Sequence, residues 1–172
     1  MRTNTTIALP FLVAWFFAGT LVSAQPHDDK ERAELAKALK EAKISLQQGV
    51  TASVKEGGPI SAKYEVEEGK LQLSVYTMKG DNFSEVIVDH KTGKVGKAEP
   101  ITKTDDLKAA KAQSEAMAKA KRSLDAAASA AVKENAGFRA VSVMPAMKDA
   151  HPVADVTLLK GTEWKIVTEK LD

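Results

Sequence analysis

Residues 60–81 read ISAKYEVEEGKLQLSVYTMKGD. Ile60, Ala62, Tyr64 and Val66 alternate with Ser61, Lys63, Glu65 and Glu67, the two-residue period of a strand with one covered and one wet face. Glu68-Gly69 supplies a turn, Leu71, Leu73 and Val75 resume the alternation, and Lys79-Gly80-Asp81-Asn82 supplies a second turn before Phe83 to Val88. Three alternating runs separated by two short turns predict an antiparallel meander.

Upstream of the meander the period changes. Leu35, Leu39, Ala42 and Leu46 recur at helical spacing behind Asp28 or Asp29, either of which can cap, while Lys and Glu fill the other face. Ser45 followed by Gln48 fits a capping box, so the segment is either one helix or two meeting near Ile44, the second presenting Leu46, Val50 and Val54. Gly57-Gly58-Pro59 ends it.

The chain then resembles itself. Ala42-Lys43-Ile44-Ser45-Leu46 is answered by Ala120-Lys121-Arg122-Ser123-Leu124, and Ala52-Ser53-Val54-Lys55-Glu56 by Ala130-Ala131-Val132-Lys133-Glu134. Val75 to Gly80 lines up with Val156 to Gly161, and Phe83 with Trp164. The second helical region opens near Thr104-Asp105-Asp106, carries Leu107, Met117 and Leu124 among many alanines, and ends around Asn135-Ala136-Gly137. Strands are expected over Phe138 to Met144, Val153 to Leu159 and Trp164 to Thr168, with a long loop between Pro145 and Pro152. The expected fold is α+β: two tandem repeats, 25–97 and 104–172, each a helix or helix pair followed by a three-stranded antiparallel meander. Residues 98–103, around Pro100, are expected to be the linker.

The first 24 residues have the order of a secretory signal: Arg2 as the positive start, an apolar stretch from Ile7 to Leu21, and small residues Val22-Ser23-Ala24 before Gln25, which places cleavage between Ala24 and Gln25. The apolar stretch is shorter than the roughly 20 residues that span a bilayer, and no stop-transfer segment follows, so no stable membrane anchor is expected after cleavage. The chain has no cysteine, which excludes structural disulfides, thiolate zinc sites and thiol nucleophiles. Together these point to the periplasm or to secretion from a bacterium. Of the 25 basic side chains only Arg2 lies in the signal, against 23 acidic ones in the rest, and so balanced a surface offers no footprint for nucleic acid.

One further stretch resembles a known family. Val88-Asp89-His90-Lys91-Thr92-Gly93-Lys94-Val95 is similar to the closing turn and strand of the PepSY domain, Val-Asp-x-x-Thr-Gly-x-Val, and the resemblance extends back to Ile44. Asp89 and Thr92 are suited to accept and donate hydrogen bonds across the turn, and Gly93 to the positive φ that closes it. The second repeat ends at Leu171-Asp172 without a Thr-Gly turn. PepSY domains occur in propeptides of secreted peptidases and as stand-alone exported proteins, so the resemblance implies a binding module and a peptidase-regulating role.

Chemistry-bearing residues are sparse. Serines, His90, His151 and several aspartates are present, but no Gly-x-Ser-x-Gly elbow accompanies them, and His90 sits in a turn where exposure is expected. Met144, Met147 and His151 form the one local set suited to cuprous copper, against a simpler reading in which the methionines fill space. Phe83 and Trp164 are expected in the core, while Tyr76, sharing a face with Gln72 and Ser74, is expected to be exposed. Tyr76, with the hairpin tips Glu68, Gly69, Lys79, Asp81 and Asn82, is the candidate partner-binding set. The expectation is an exported, non-enzymatic binding module without a cofactor, whose partner is a protein and, on the resemblance, a secreted or periplasmic peptidase. The alternatives are copper handling and an envelope structural role.

Overall fold

Ser45 decides how the helical region divides. Its hydroxyl accepts from Gln48 N at 3.2 Å and its own N–H donates to Gln48 Oε1 at 2.8 Å, a reciprocal cap that starts a new helix. The region is therefore a helix pair, α1 (Pro26–Ala38) and α2 (Leu46–Ser53), joined through a 3-10 turn over Leu39–Glu41. Leu46 and Val50 are buried, but α2 stops before Val54, which is 56% exposed. The computed structural model describes residues 26–172, so the signal segment and its Ala24–Gln25 cleavage pair lie outside the described residues.

The meander follows as β1 (Gly58–Glu67), β2 (Lys70–Lys79) and β3 (Asn82–Val88), and a fourth strand, β4 (Val95–Pro100), extends it. Then come α3 (Thr104–Lys119), α4 (Leu124–Glu134), β5 (Arg139–Lys148), β6 (His151–Lys160) and β7 (Glu163–Lys170). All seven strands form one antiparallel sheet in the order β4-β3-β2-β1-β5-β6-β7. The fold is α+β.

Two local expectations are corrected. Ala98 to Pro100, expected in a linker, belong to β4 and pair with β3 from Ser84↔Pro100 to Val86↔Ala98. All six β4 residues are exposed, so the strand has no apolar alternation to betray it. The long loop expected between Pro145 and Pro152 is instead a tight hairpin, its turn made by Asp149 and Ala150 at φ 49° and 65°. Counting the ladder out from that turn, Pro145 sits where a backbone N–H points away from β6, so its missing donor leaves the hairpin intact. The same proline faces β1, and the β1–β5 ladder is correspondingly short, with Ala62↔Val143 and Lys63↔Ser142 as its register pairs.

Helices cover both faces of the sheet. A Cβ placed on Gly49 of α2 would lie 2.3 Å from Leu73 Cδ2, so α2 packs directly on the Leu73 face, and α4 packs beside α2. The main core lies there, with Leu46, Leu73, Val75, Val86, Leu124, Val143 and Val156 fully buried. On the opposite face a smaller cluster of Ile60, Phe83 and Ala110, with Tyr76, Met78 and Leu107, seats α3. A bulge between Pro59 and Ser61 turns Ile60 toward that cluster. α1 takes the same face at the other end of the strands, where Arg32 lies over the half-buried Trp164 at 5.9 Å. One core cluster includes residues of both halves of the chain.

Gly49→Ala is expected to destabilise the protein by about 1–3 kcal/mol, because the added methyl overpacks against fully buried Leu73 and outweighs the roughly 1 kcal/mol gained in helix propensity. A lower urea midpoint at unchanged slope is the measurement that checks it.

Candidate functional site

The strand register assembles a surface that no single segment contains. Residues directly opposite one another in a sheet share a face. The pairs Lys97↔Ile87, Ile87↔Ser74, Ser74↔Lys63, Lys63↔Ser142, Ser142↔Thr157 and Thr157↔Ile166 therefore form one row across all seven strands. Its neighbouring row contains Glu85, Tyr76 and Ser61, where α3 docks, so the first row runs between α3 and α1 on the less apolar face. Gln113 of α3 fixes this border, accepting from Ser61 Oγ at 2.7 Å and donating to Met144 Sδ at 3.7 Å.

Within this surface the β1–β3 side holds a connected polar cluster. Lys63 Nζ and Glu65 Oε2 are 2.6 Å apart with about a quarter of each side chain exposed. Ser74, itself fully buried, donates to Glu65 at 2.7 Å and accepts from Gln72 at 3.0 Å. Lys63 lies 5.8 Å from the Tyr76 ring centre, and the Tyr76 hydroxyl donates to Glu85 at 3.4 Å. Burial raises the Tyr76 phenol well above its ordinary value, with Glu65 and Glu85 adding to the shift. Burial also raises the Glu85 carboxyl above the usual carboxylate range, Glu65 and Glu67 reinforcing it while Ser74 and Lys63 oppose. The arrangement is one cation among several carboxylates, suited to matching a polar, charged partner surface.

The expected partner-binding residues are dispersed. Tyr76 shares a face with Gln72 and Ser74 as expected, but it is half-buried against the α3 cluster rather than exposed. The alternation identified a second face without indicating that a helix covers part of it. Glu68 and Gly69 form the β1–β2 turn with φ 49° and 75°, whereas Lys79, Asp81 and Asn82 lie around the β2–β3 turn. Those tips sit at opposite ends of β2, about 30 Å apart at roughly 3.3 Å per residue, and do not form one patch. Phe83 is buried, and Trp164 is half-buried beside the main core. Lys63 and Glu65 were legible only as wet strand positions and Glu85 only as part of the Phe83 to Val88 run; the register that the Lys79–Asn82 turn imposes, setting Glu85 opposite Tyr76, was the signal that could have grouped them.

Asp89, Thr92 and Gly93 form the turn expected of them. Asp89 Oδ1 accepts from Lys91 N at 3.0 Å, Thr92 N at 2.6 Å and Thr92 Oγ1 at 2.9 Å, and Gly93 takes φ 74°. The Thr92 backbone and hydroxyl donors, with the Lys91 amide, hold Asp89 below the usual carboxylate range. His90 differs from expectation: it is half-buried, its Nδ1 is enclosed and has no hydrogen-bond partner among the described residues, and its carbonyl accepts from Lys43 N and Ile44 N at 2.9 and 3.2 Å. The turn thereby anchors the α1–α2 connector.

The metal candidates do not converge. Met144 and Met147 are three apart on one strand and point to opposite faces, Met144 toward Gln113. His151 Nδ1 lies 2.5 Å from Asp172 Oδ2 at an exposed position. Among the described residues no group of three or more His, Asp or Glu side chains could hold a metal ion, and no helix is long and apolar enough to cross a membrane.

No family model matches the chain, and no curated protein matches it. Among solved structures it is similar to a Clostridium difficile protein provisionally described as a lipoprotein, at 15% identity over 69% of this chain and 78% of that one, with a TM-score of 0.40. That likeness is too distant to bear on the site.

Two titrations probe these residues. The folded protein holds the Glu85 proton more tightly than the unfolded chain, so stability falls as pH rises from the ordinary carboxylate value through the raised one. Glu85→Gln removes that cost: its Tm should exceed the parent's at about pH 8, and the difference should shrink toward about pH 4. Asp89 has the opposite sign, contributing above the ordinary carboxylate value and losing its contribution as pH falls through its lowered one. Asp89→Ala should therefore lower Tm at neutral pH, speed amide hydrogen exchange at Lys91 and Thr92, and converge with the parent in acid.

Proposed function

We propose that this protein is an exported binding module with no chemistry of its own, built from two PepSY-like units, that holds a protein partner against the polar row between α1 and α3. The observation that carries the reading is the row itself, which crosses all seven strands and needs both halves of the chain to exist. With Ser74 buried, the reachable polar side chains of the row are Lys97, Lys63, Ser142 and Thr157, with isoleucines toward its ends, which favours a partner matched by hydrogen bonds and charge over one held by bulk apolar burial.

Several features support two copies of one unit. β1, β2 and β3 begin at 58, 70 and 82, and β5, β6 and β7 at 139, 151 and 163, the same spacing in each run. Bulges fall at Pro59/Ser61 and at Ala140/Ser142. Lys43 and Ile44 donate to the His90 carbonyl, just as Lys121 and Arg122 donate to that of Leu171. The residues that correspond in this alignment, Ala62 and Val143, face each other across the β1–β5 seam, as a local two-fold axis through the sheet requires. Export rests on the order of residues 1–24, and the PepSY relation on the sequence of the Asp89 turn and its hydrogen bonds. The peptidase as partner comes from that relation, with inhibition by a preformed surface occupying the active-site cleft.

Affinity capture on the immobilised chain from the host's exported-protein fraction tests this. Lys97→Glu combined with Thr157→Arg, both on the row and neither in its main core, should abolish retention while leaving the circular dichroism unchanged. A retained peptidase whose activity falls on adding free protein would support the full reading. A folded chain that retains nothing, or retains the same proteins with the row altered, would remove it.

A further inference from the structure

The two ends of the sheet are unequal. In the first half the outer edge of β3 is covered by β4, in register from Ser84↔Pro100 to Val88↔Val95. Among the described residues no strand covers the corresponding outer edge of β7. β4 is itself a poor template for another strand: it contains Gly96 and Pro100, its ladder to β3 is irregular at Ile87/Val88, and its side chains include the Lys97–Glu99 ion pair at 2.8 Å. β7 has neither glycine nor proline over its eight residues, and at its centre Ile166 is 51% exposed.

The hydrogen-bonding side of that edge follows from the β6–β7 hairpin. Its two-residue turn closes on Lys160↔Glu163, and counting outward from this pair leaves the N–H and C=O groups of Trp164, Ile166, Thr168 and Lys170 pointing away from β6. Of this row the Lys170 carbonyl already accepts from Arg122 Nη1 at 2.7 Å, and the groups of Trp164, Ile166 and Thr168 are left as a template for one more antiparallel strand. We infer that the strand is β7 of a second copy, paired about a two-fold axis at Val167.

Self-complementarity selects both the occupant and the register. An antiparallel pair related by a two-fold axis through the sheet must centre on a residue, because opposed side chains share a face. Centring on Val167 opposes Ile166 to Thr168 of the second copy, which then exchange their outward hydrogen bonds, and sets Trp164 opposite Lys170, whose carbonyl already accepts from Arg122. It also opposes Lys165 to Glu169, twice by symmetry, and places Val167 against itself as a β-branched pair. Centring on Ile166 instead opposes Glu163 to Glu169, a like-charge contact, and leaves Lys170 outside the ladder. Within each copy Glu169 already faces Arg122 at 3.4 Å with a side chain only 11% exposed, and Lys165 Nζ donates to Asn135 Oδ1 at 2.5 Å, so the cross-copy pair adds to contacts both residues already make. The product is a single sheet running from β4 of one copy through the joined β7 strands to β4 of the other. Both of its ends are then the irregular edge that carries Gly96 and Pro100, so assembly stops at two copies.

The absence of cysteine gives a direct test. Sedimentation of the purified full chain should show a concentration-dependent pair. Val167→Cys should cross-link to itself under mild oxidation, since an axis-centred, non-hydrogen-bonded pair brings the two Cα atoms to about 4.5 Å, while Ile166→Cys, opposed to Thr168, should cross-link far less. Ile166→Pro deletes an outward donor and leaves the β6 ladder its bonds; it should weaken association by at least about tenfold with the fold retained by circular dichroism. A single-copy mass at every concentration with no Val167→Cys product would overturn the assignment. So would cross-linking that is equal at both positions, or a single-copy chain that takes up an added extended peptide along β7, which would assign the edge to another protein.

Discussion

The structure depends on the short antiparallel pairing of β1 with β5. Two meanders would otherwise be separate sheets, each with an open edge where β1 and β5 now pair. Ala62 and Val143 meet at the seam with no exposed surface. The ladder there is limited by Pro145, which has no N–H to offer β1, so backbone hydrogen bonds alone do not hold the halves together. α2 and α4 pack against each other beside it, and the buried Ala127, Ala128 and Ala131 give α4 a low profile for close approach. Arg139 adds a polar strap from β5 back to the first half, donating to Leu39 O at 2.8 Å and lying 5.5 Å from the Tyr64 ring centre.

Joining the sheets creates the candidate surface. Lys63 stands beside Ser74 within its own meander and beside Ser142 across the seam, and through these contacts a polar row becomes continuous. The helices set its width: α3 covers Ile60, Phe83 and part of Tyr76 at one end of the strands, and α1 approaches Trp164 at the other. What remains between them is partly enclosed. That enclosure raises the Glu85 carboxyl and the Tyr76 phenol, so the electrostatics of the surface follow from where two helices happen to lie.

The sheet edges show the same dependence on arrangement. β4 carries no apolar pattern and is placed by the Asp89 turn, whose hydrogen bonds turn the chain back along β3. That turn also holds the α1–α2 connector through the His90 carbonyl, so one local motif fixes both an edge of the sheet and a helix start. At the far end β7 has no fully buried residue and no neighbouring strand on its outer side among the described residues.

Sequence by itself determined what local chemistry controls. The alternation of Ala62 to Val66 and of Leu71 to Val75, the Ser45–Gln48 cap and the Asp89–Gly93 turn depend on residues a few positions apart and form as read, whereas Ile60, read on the same face as Ala62, is turned to the opposite one by the bulge between Pro59 and Ser61. Tyr76 marks the limit: its parity was legible, but its burial was not, because α3 reaches it from a separate part of the chain. The β4 strand, the tight hairpin at Asp149-Ala150 and the separation of Met144 from Met147 likewise depended on partners that a linear pattern does not name. Only the tertiary structure decided that the meanders share a seam, which strand positions become one surface and which edge stays open, because these are set by contacts between residues far apart in sequence and by which helix covers which face.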